Sequence, residues 1–265
     1  FEVRTAPVYQ IQKDIPSLKD VYANDFKIGT AVTTEELAPQ STKDLIAKHF
    51  NSITLGNELK PESILDKSAT QASGSETEPV INLASARTIL NYCRDNNIPV
   101  RGHVLVWHSQ TPDWFFKENF DPNGAWVSKD KMTKRLENYI KTVMETLAKD
   151  YPDVEFYAWD VVNEAASDAG TIRDAGSNNE VNGQSAWVKV YGDQSYIPLA
   201  FEFAKKYAPA GCKLFYNDYN EYSPNKQAYI ISDILKPLVE KNLIDGVGMQ
   251  SHISMSYPTI DLYKS

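Results

Sequence analysis

The sequence predicts an α/β fold of the (β/α)8 barrel type, with about six β/α units present, on three observations. Apolar, β-branched runs of strand length alternate six times with runs of helical length. No glycine-rich turn follows the first strand, where a dinucleotide-binding doubly wound sheet would carry one. Polar and aromatic clusters follow several different strands, as the βα loops at one face of a barrel would supply. Right-handed crossovers would join the strands.

The elements follow in order. Residues 1–25 read as a cover to the barrel floor, with Pro16-Ser17-Leu18 opening a short helix that ends near Asn24. Residues 26–32 are the first strand, 41–50 a helix with Ser41 as N-cap, and 52–55 the second strand. The Ser, Thr, Gly and Glu of 68–78 lack apolar periodicity and predict an exposed loop, tolerant of insertion. A helix over 83–95 and a strand over 98–107 come next, then an aromatic loop over 109–127 that carries Trp114, Phe115, Phe116 and Trp126. An amphipathic helix over 130–150 leads to the fourth strand, 154–162. Beyond a polar loop over 165–185, helices over 197–207 and 226–241 alternate with strands over 213–217 and 246–250. All 265 residues read as one catalytic domain.

Composition bounds the function. A chain 42% hydrophobic and 23% charged can bury a large core, and no apolar run reaches membrane-spanning length. Net charge of -8 without a Lys/Arg cluster argues against a nucleic-acid partner. Cys93 and Cys212 show no metal-ligand spacing and read as buried thiols. His103 and His108, five apart, fit no known zinc spacing, so neither metal nor cofactor is expected.

The chemistry gathers at strand ends. The fourth strand finishes in Trp159-Asp160-Val161-Val162-Asn163-Glu164, delivering a carboxylate from apolar surroundings to a loop, which suits a general acid. A helix cap or a surface ion pair would be the plainer reading of Glu164. Asn57 and Lys60 follow the second strand; His103, Trp107 and His108 end the third. Asn217, Asp218 and Tyr219 end the fifth, and Gln250 and His252 the sixth. Trp107 could be core, His103 a satisfied buried histidine and Asn217 a turn former. Recurrence at successive strand ends favours one cleft of neutral hydrogen-bonding groups and aromatic faces, fit for a polyhydroxylated neutral ligand.

Four segments on four strands carry a resemblance: Gly102-His103-Val104-Leu105-Val106-Trp107-His108, Trp159 to Glu164, Tyr216-Asn217-Asp218-Tyr219-Asn220 and Gly246-Val247-Gly248-Met249-Gln250-Ser251-His252. Over roughly residues 20–265 the chain resembles the family 10 glycoside hydrolases, chiefly endo-β-1,4-xylanases. The resemblance implies an eight-stranded barrel and retaining hydrolysis of internal β-1,4-xylosidic bonds in xylan and xylooligosaccharides. Glu164 would be the acid/base and Asn163 would hold the sugar 2-hydroxyl. Asn57, Lys60, His103 and Trp107 match positions that hold the glycone sugars; Gln250 and His252 would flank the nucleophile, and Tyr219 would touch the leaving-group side. A polymeric substrate implies a secreted or cell-surface protein.

Two departures from the family pattern stand out. In Gly56-Asn57-Glu58-Leu59-Lys60-Pro61, many relatives have Glu in place of Gly56 and Trp in place of Pro61. The nucleophile of the family lies in a segment like Ile-Thr-Glu-Leu-Asp on the seventh strand, and this sequence ends at Ser265 after the sixth. Strands seven and eight, with the nucleophile, are therefore expected beyond Ser265 or from a complementing C-terminal segment. A xylan-binding protein without a nucleophile and a barrel glycosidase acting on β-glucan are the competing readings.

Overall fold

The computed structural model describes residues 10–178 and 183–264. The start of the cover segment, part of the loop after the fourth strand and Ser265 lie outside the described residues. Six strands form one parallel sheet: β1 (Gly29–Val32), β2 (Ser52–Leu55), β3 (Val100–Trp107), β4 (Phe156–Asn163), β5 (Lys213–Asp218) and β6 (Gly246–Met249). Their order across the sheet is their order along the chain. A doubly wound sheet reverses direction at a switch point, whereas sequential winding is that of a (β/α)8 barrel, here over six of its units.

Helices pack on the outer face because their apolar residues recur at helical spacing. In helix Lys129–Asp150, Met132, Leu136, Tyr139, Ile140, Val143 and Leu147 are buried, and the Ser128 hydroxyl caps the first turn by accepting from Lys131 N–H. Helix Tyr196–Tyr207 lies beside it and buries Ile197, Ala200, Phe201 and Ala204. Trp159 of β4 fills the layer between sheet and helices, fully buried, and Gly102 of β3 makes room for it. A Cβ at Gly102 would stand 2.2 Å from the Trp159 ring.

Several sequence expectations are corrected. Residues 68–78 are an exposed loop only in part: they begin in helix Lys67–Ala72, capped by Asp66, with Thr70 fully buried, while 73–78 are non-helical and mostly exposed. The segment beyond is pinned, since buried Arg135 donates to the carbonyl of Glu76 and Asn138 to that of Thr77. A single buried position gives no periodicity to read, which explains the miss. Directly after the loop that the sequence predicts to end at Ser185, the chain forms an unexpected helix, Ala186–Tyr191, bounded by Ser185 as N-cap and by Gly192 at φ 80°. The last long helix is one run of helical pieces from Pro224 to Glu240 with a π-type stretch at Ile230–Leu235, just ahead of Pro237, which has no N–H to donate. Cys93 is buried as expected, but Cys212 is only half-buried; burial pushes both thiols up to about 12.

The sheet is open. Among the described residues β1 and β6 each have one neighbour, and on β6 Val247 and Met249 remain 39% and 47% exposed. Phe26, Ile253, Met255 and Ile260 are exposed as well.

Candidate active site

Register places the chemistry. Trp107 of β3 pairs with Asn163 of β4, and Asn163 with Asn217 of β5, so an indole and two amides share one level at the C-terminal edge. Glu164 follows at once, with φ 55° in the left-handed region. Its N–H donates to the Asn217 carbonyl at 2.8 Å, and its own carbonyl accepts from Arg173 Nε. The backbone turn thus sends the carboxylate into the cleft rather than over a following helix, which removes the helix-cap reading.

The cleft has a volume of about 980 Å³ and is lined by Glu164, His103, Trp107, Asn163, Tyr219, Gln250 and His252 among others. Asn57 and Lys60 are not among the lining residues; Lys60 connects to the cleft through Trp107. Glu164 is not in apolar surroundings: Oε2 accepts the Trp107 indole N–H at 2.9 Å and Oε1 accepts Gln250 Nε2–H at 2.7 Å. Gln250 Nε2 also donates to Asn163 Oδ1 at 3.1 Å, an oxygen that Asn217 Nδ2 reaches at 2.7 Å. Because the amide nitrogen faces this group, Gln250 Oε1 faces His252 Nε2 at 2.9 Å, and His252 is the donor.

At the other end, Lys60 Nζ donates to Asn57 Oδ1 at 2.8 Å and to Gln110 Oε1 at 2.7 Å while lying 5.2 Å from the Trp107 ring. His103 Nδ1 is 3.0 Å from Asp160 Oδ2, and Arg101 donates to both Asp160 oxygens. Trp107 is therefore more than core, and Asn217 shapes the site rather than a turn. His103 does have a buried partner, yet it keeps a face on the cleft.

Sequence reasoning passed over Arg173, Asp160, Gln110 and the role of His108. Arg173 is buried, holds the Glu164 carbonyl and reaches Tyr219 Oη at 3.4 Å. Nothing in its polar loop marked it out. His108 packs edge-on to Trp107 at 6.1 Å, with Nδ1 unpartnered; burial first, then the charges of Arg173 and Lys226, pushes it down to about 3. It is a neutral wall. Asp160 and Glu164 are the carboxylates that line the cleft among the described residues, and Asp160 is occupied by Arg101 and His103. Among the described residues no group of three His, Cys, Asp or Glu is placed to hold a metal ion, and no helix is long and apolar enough to cross a membrane.

A strand-end carboxylate amid amide and indole donors, on a sequentially wound parallel sheet, defines a barrel glycoside hydrolase site. The model of glycosyl hydrolase family 10 matches residues 17–265, and the chain belongs to that family. It is 51% identical over 241 residues to endo-1,4-beta-xylanase Y of Acetivibrio thermocellus, covering 89% of this chain and 22% of that protein. With the bifunctional endo-1,4-beta-xylanase XylA of Ruminococcus flavefaciens the identity is 48%, over 94% of this chain and 25% of the relative. Among solved structures, the CBM22-1–GH10 modules of Clostridium thermocellum endo-1,4-beta-D-xylanase 10B in complex with xylohexaose superpose with a TM-score of 0.85 at 49% identity. That match covers 90% of this chain and 46% of the other. The chain thus spans about a quarter or less of the length of these two curated relatives.

Proposed function

We propose that this chain carries the acid/base half of a retaining endo-β-1,4-xylanase. One observation carries the reading: Glu164, the residue after β4, has both carboxylate oxygens held, by Trp107 and Gln250, inside a cleft lined by amide, indole and imidazole groups. The named xylanase relatives and the xylohexaose-bound neighbour support the choice of xylan over β-glucan.

In the first step Glu164 gives its proton to the glycosidic oxygen as the bond from that oxygen to the anomeric carbon breaks, and a second carboxylate forms the glycosyl ester. In the second step Glu164 takes a proton from water, whose oxygen attacks the anomeric carbon as the ester bond from that carbon breaks and the second carboxylate leaves. Asn163 faces the sugar 2-hydroxyl, where its contact strengthens as charge develops. Asn57, Lys60, His103 and Trp107 hold the glycone side, His252 and Gln250 border the nucleophile, and Tyr219 lies toward the leaving group.

A retaining site needs its carboxyls about 5 to 5.5 Å apart. Asp160 is tied to Arg101 and His103, so the nucleophile is assigned to a carboxylate other than those the described residues bring to the cleft. A polymeric substrate is what supports a location outside the cell or on its surface. The test is Glu164→Ala in the full-length protein: cleavage of xylan should fall by about a thousandfold or more while xylooligosaccharide binding, followed by calorimetry, persists. Retained turnover would overturn the assignment, and wild-type binding without release of reducing ends would establish a xylan-binding protein instead.

A further inference from the structure

We propose that Tyr216, Asp218 and Lys226 form a buried positioning unit that sets the height of the Glu164 carboxyl, and so govern proton transfer to the leaving group without touching substrate. The inference rests on the reading of Glu164 as acid/base.

β5 turns Asn217 toward the cleft and its neighbours Tyr216 and Asp218 away from it; neither of the two lines the cleft, and both are fully buried. The Tyr216 hydroxyl accepts the N–H groups of Ala165 at 3.1 Å and Ala166 at 3.3 Å, the two residues after Glu164, and donates to Asp218 Oδ2. Asp218 Oδ2 also lies 3.4 Å from Ala166 N. Asp218 Oδ1 accepts from Tyr219 N–H at 2.8 Å and from Lys226 Nζ at 2.9 Å. Lys226, with no exposed side-chain surface, reaches back to Asp168 on the Glu164 loop at 3.2 Å and stands 3.5 Å from the Tyr219 ring centre.

With the bonds from Glu164 N–H to Asn217 and from Arg173 to its carbonyl, three successive amides from Glu164 to Ala166 have partners, all but one of the acceptors on β5 side chains. That matters because Glu164 holds a left-handed conformation that an L-residue adopts only when its surroundings impose it. Taking a lysine and an aspartate wholly out of water is costly, and here the pair stands under the proton donor. A misplacement of about 1 Å at a reacting group costs up to about a hundredfold in rate.

The experiment is Tyr216→Phe, which keeps the ring and deletes the hydroxyl, measured as kcat/KM on two substrates of the full-length protein. Xylotriose has a basic leaving group that requires protonation; 2,4-dinitrophenyl β-xylobioside has one that departs without it, and kcat/KM reports the step in which it leaves. Expected is a fall of about tenfold or more on xylotriose and of less than about threefold on the aryl substrate. Tyr191→Phe, which removes a buried hydroxyl bonded to Thr133 in the outer helices, should show no such split. Equal falls on both substrates, or none, would overturn the proposal. If Tyr216→Phe does not fold, Asp218→Asn is read by the same split. Undiminished xylotriose cleavage in Glu164→Ala, run in parallel, would overturn the acid/base reading itself.

Discussion

Gln250, on the loop after the edge strand β6, holds the carboxylate that ends β4, 86 positions earlier, at 2.7 Å. The same amide nitrogen bridges to Asn163, and its oxygen is oriented by His252. One side chain therefore ties Glu164, the proposed proton donor, to Asn163, the group proposed to face the sugar 2-hydroxyl. Gln250→Leu keeps the volume and deletes all three bonds. Xylan hydrolysis should drop by about ten- to a hundredfold in kcat, with thermal stability nearly unchanged because the site is partly solvated.

Gly102 predicts a packing effect. A Cβ there would enter the Trp159 ring at 2.2 Å, and the indole is fully enclosed by the sheet and its helices. Gly102→Ala should lose about 1 to 3 kcal/mol in urea unfolding. A variant as stable as wild type would show that the ring can move aside.

His108 makes stability depend on pH. Burial, with Arg173 and Lys226 nearby, pushes the folded imidazole down to about 3, whereas the unfolded residue titrates near 6.5. Above 6.5 both states are neutral and the residue contributes no slope. As pH falls from 6.5 toward 3 the unfolded chain takes up a proton that the folded one refuses, so stability declines by up to about 1.4 kcal/mol per unit. Unfolding free energies at pH 6.5, 5.5 and 5.0 should fall less steeply in His108→Gln than in wild type.

Gly56 lines the cleft beside Asn57, and a Cβ there would lie 3.0 Å from Thr33 Cγ2. Gly56→Glu would set a hydrogen-bonding carboxylate at the glycone end. Affinity for xylobiose and xylotriose should rise by about three- to tenfold, offset by a stability loss of about 1 kcal/mol from the tight contact. Unchanged affinity would mean that the glycine does not shape that subsite.

The strand-end placement of Glu164, Asn163, Trp107 and Gln250 was legible in the sequence because strand period and burial are local: an apolar run that ends in a polar pair states where its strand leaves the core. The order of the six units and the helix over Lys129–Asp150 were legible for the same reason, each carrying its own periodicity. Tertiary structure alone decided what those residues do to one another. That Gln250 and Trp107 grip opposite oxygens of Glu164, and that Tyr216, Asp218 and Lys226 brace its loop, depend on register between strands and on contacts across tens of residues. So does the buried Thr70 in a stretch that reads as open loop. Local pattern records which face of an element is buried; the partners across that face are set by packing, which no single segment encodes.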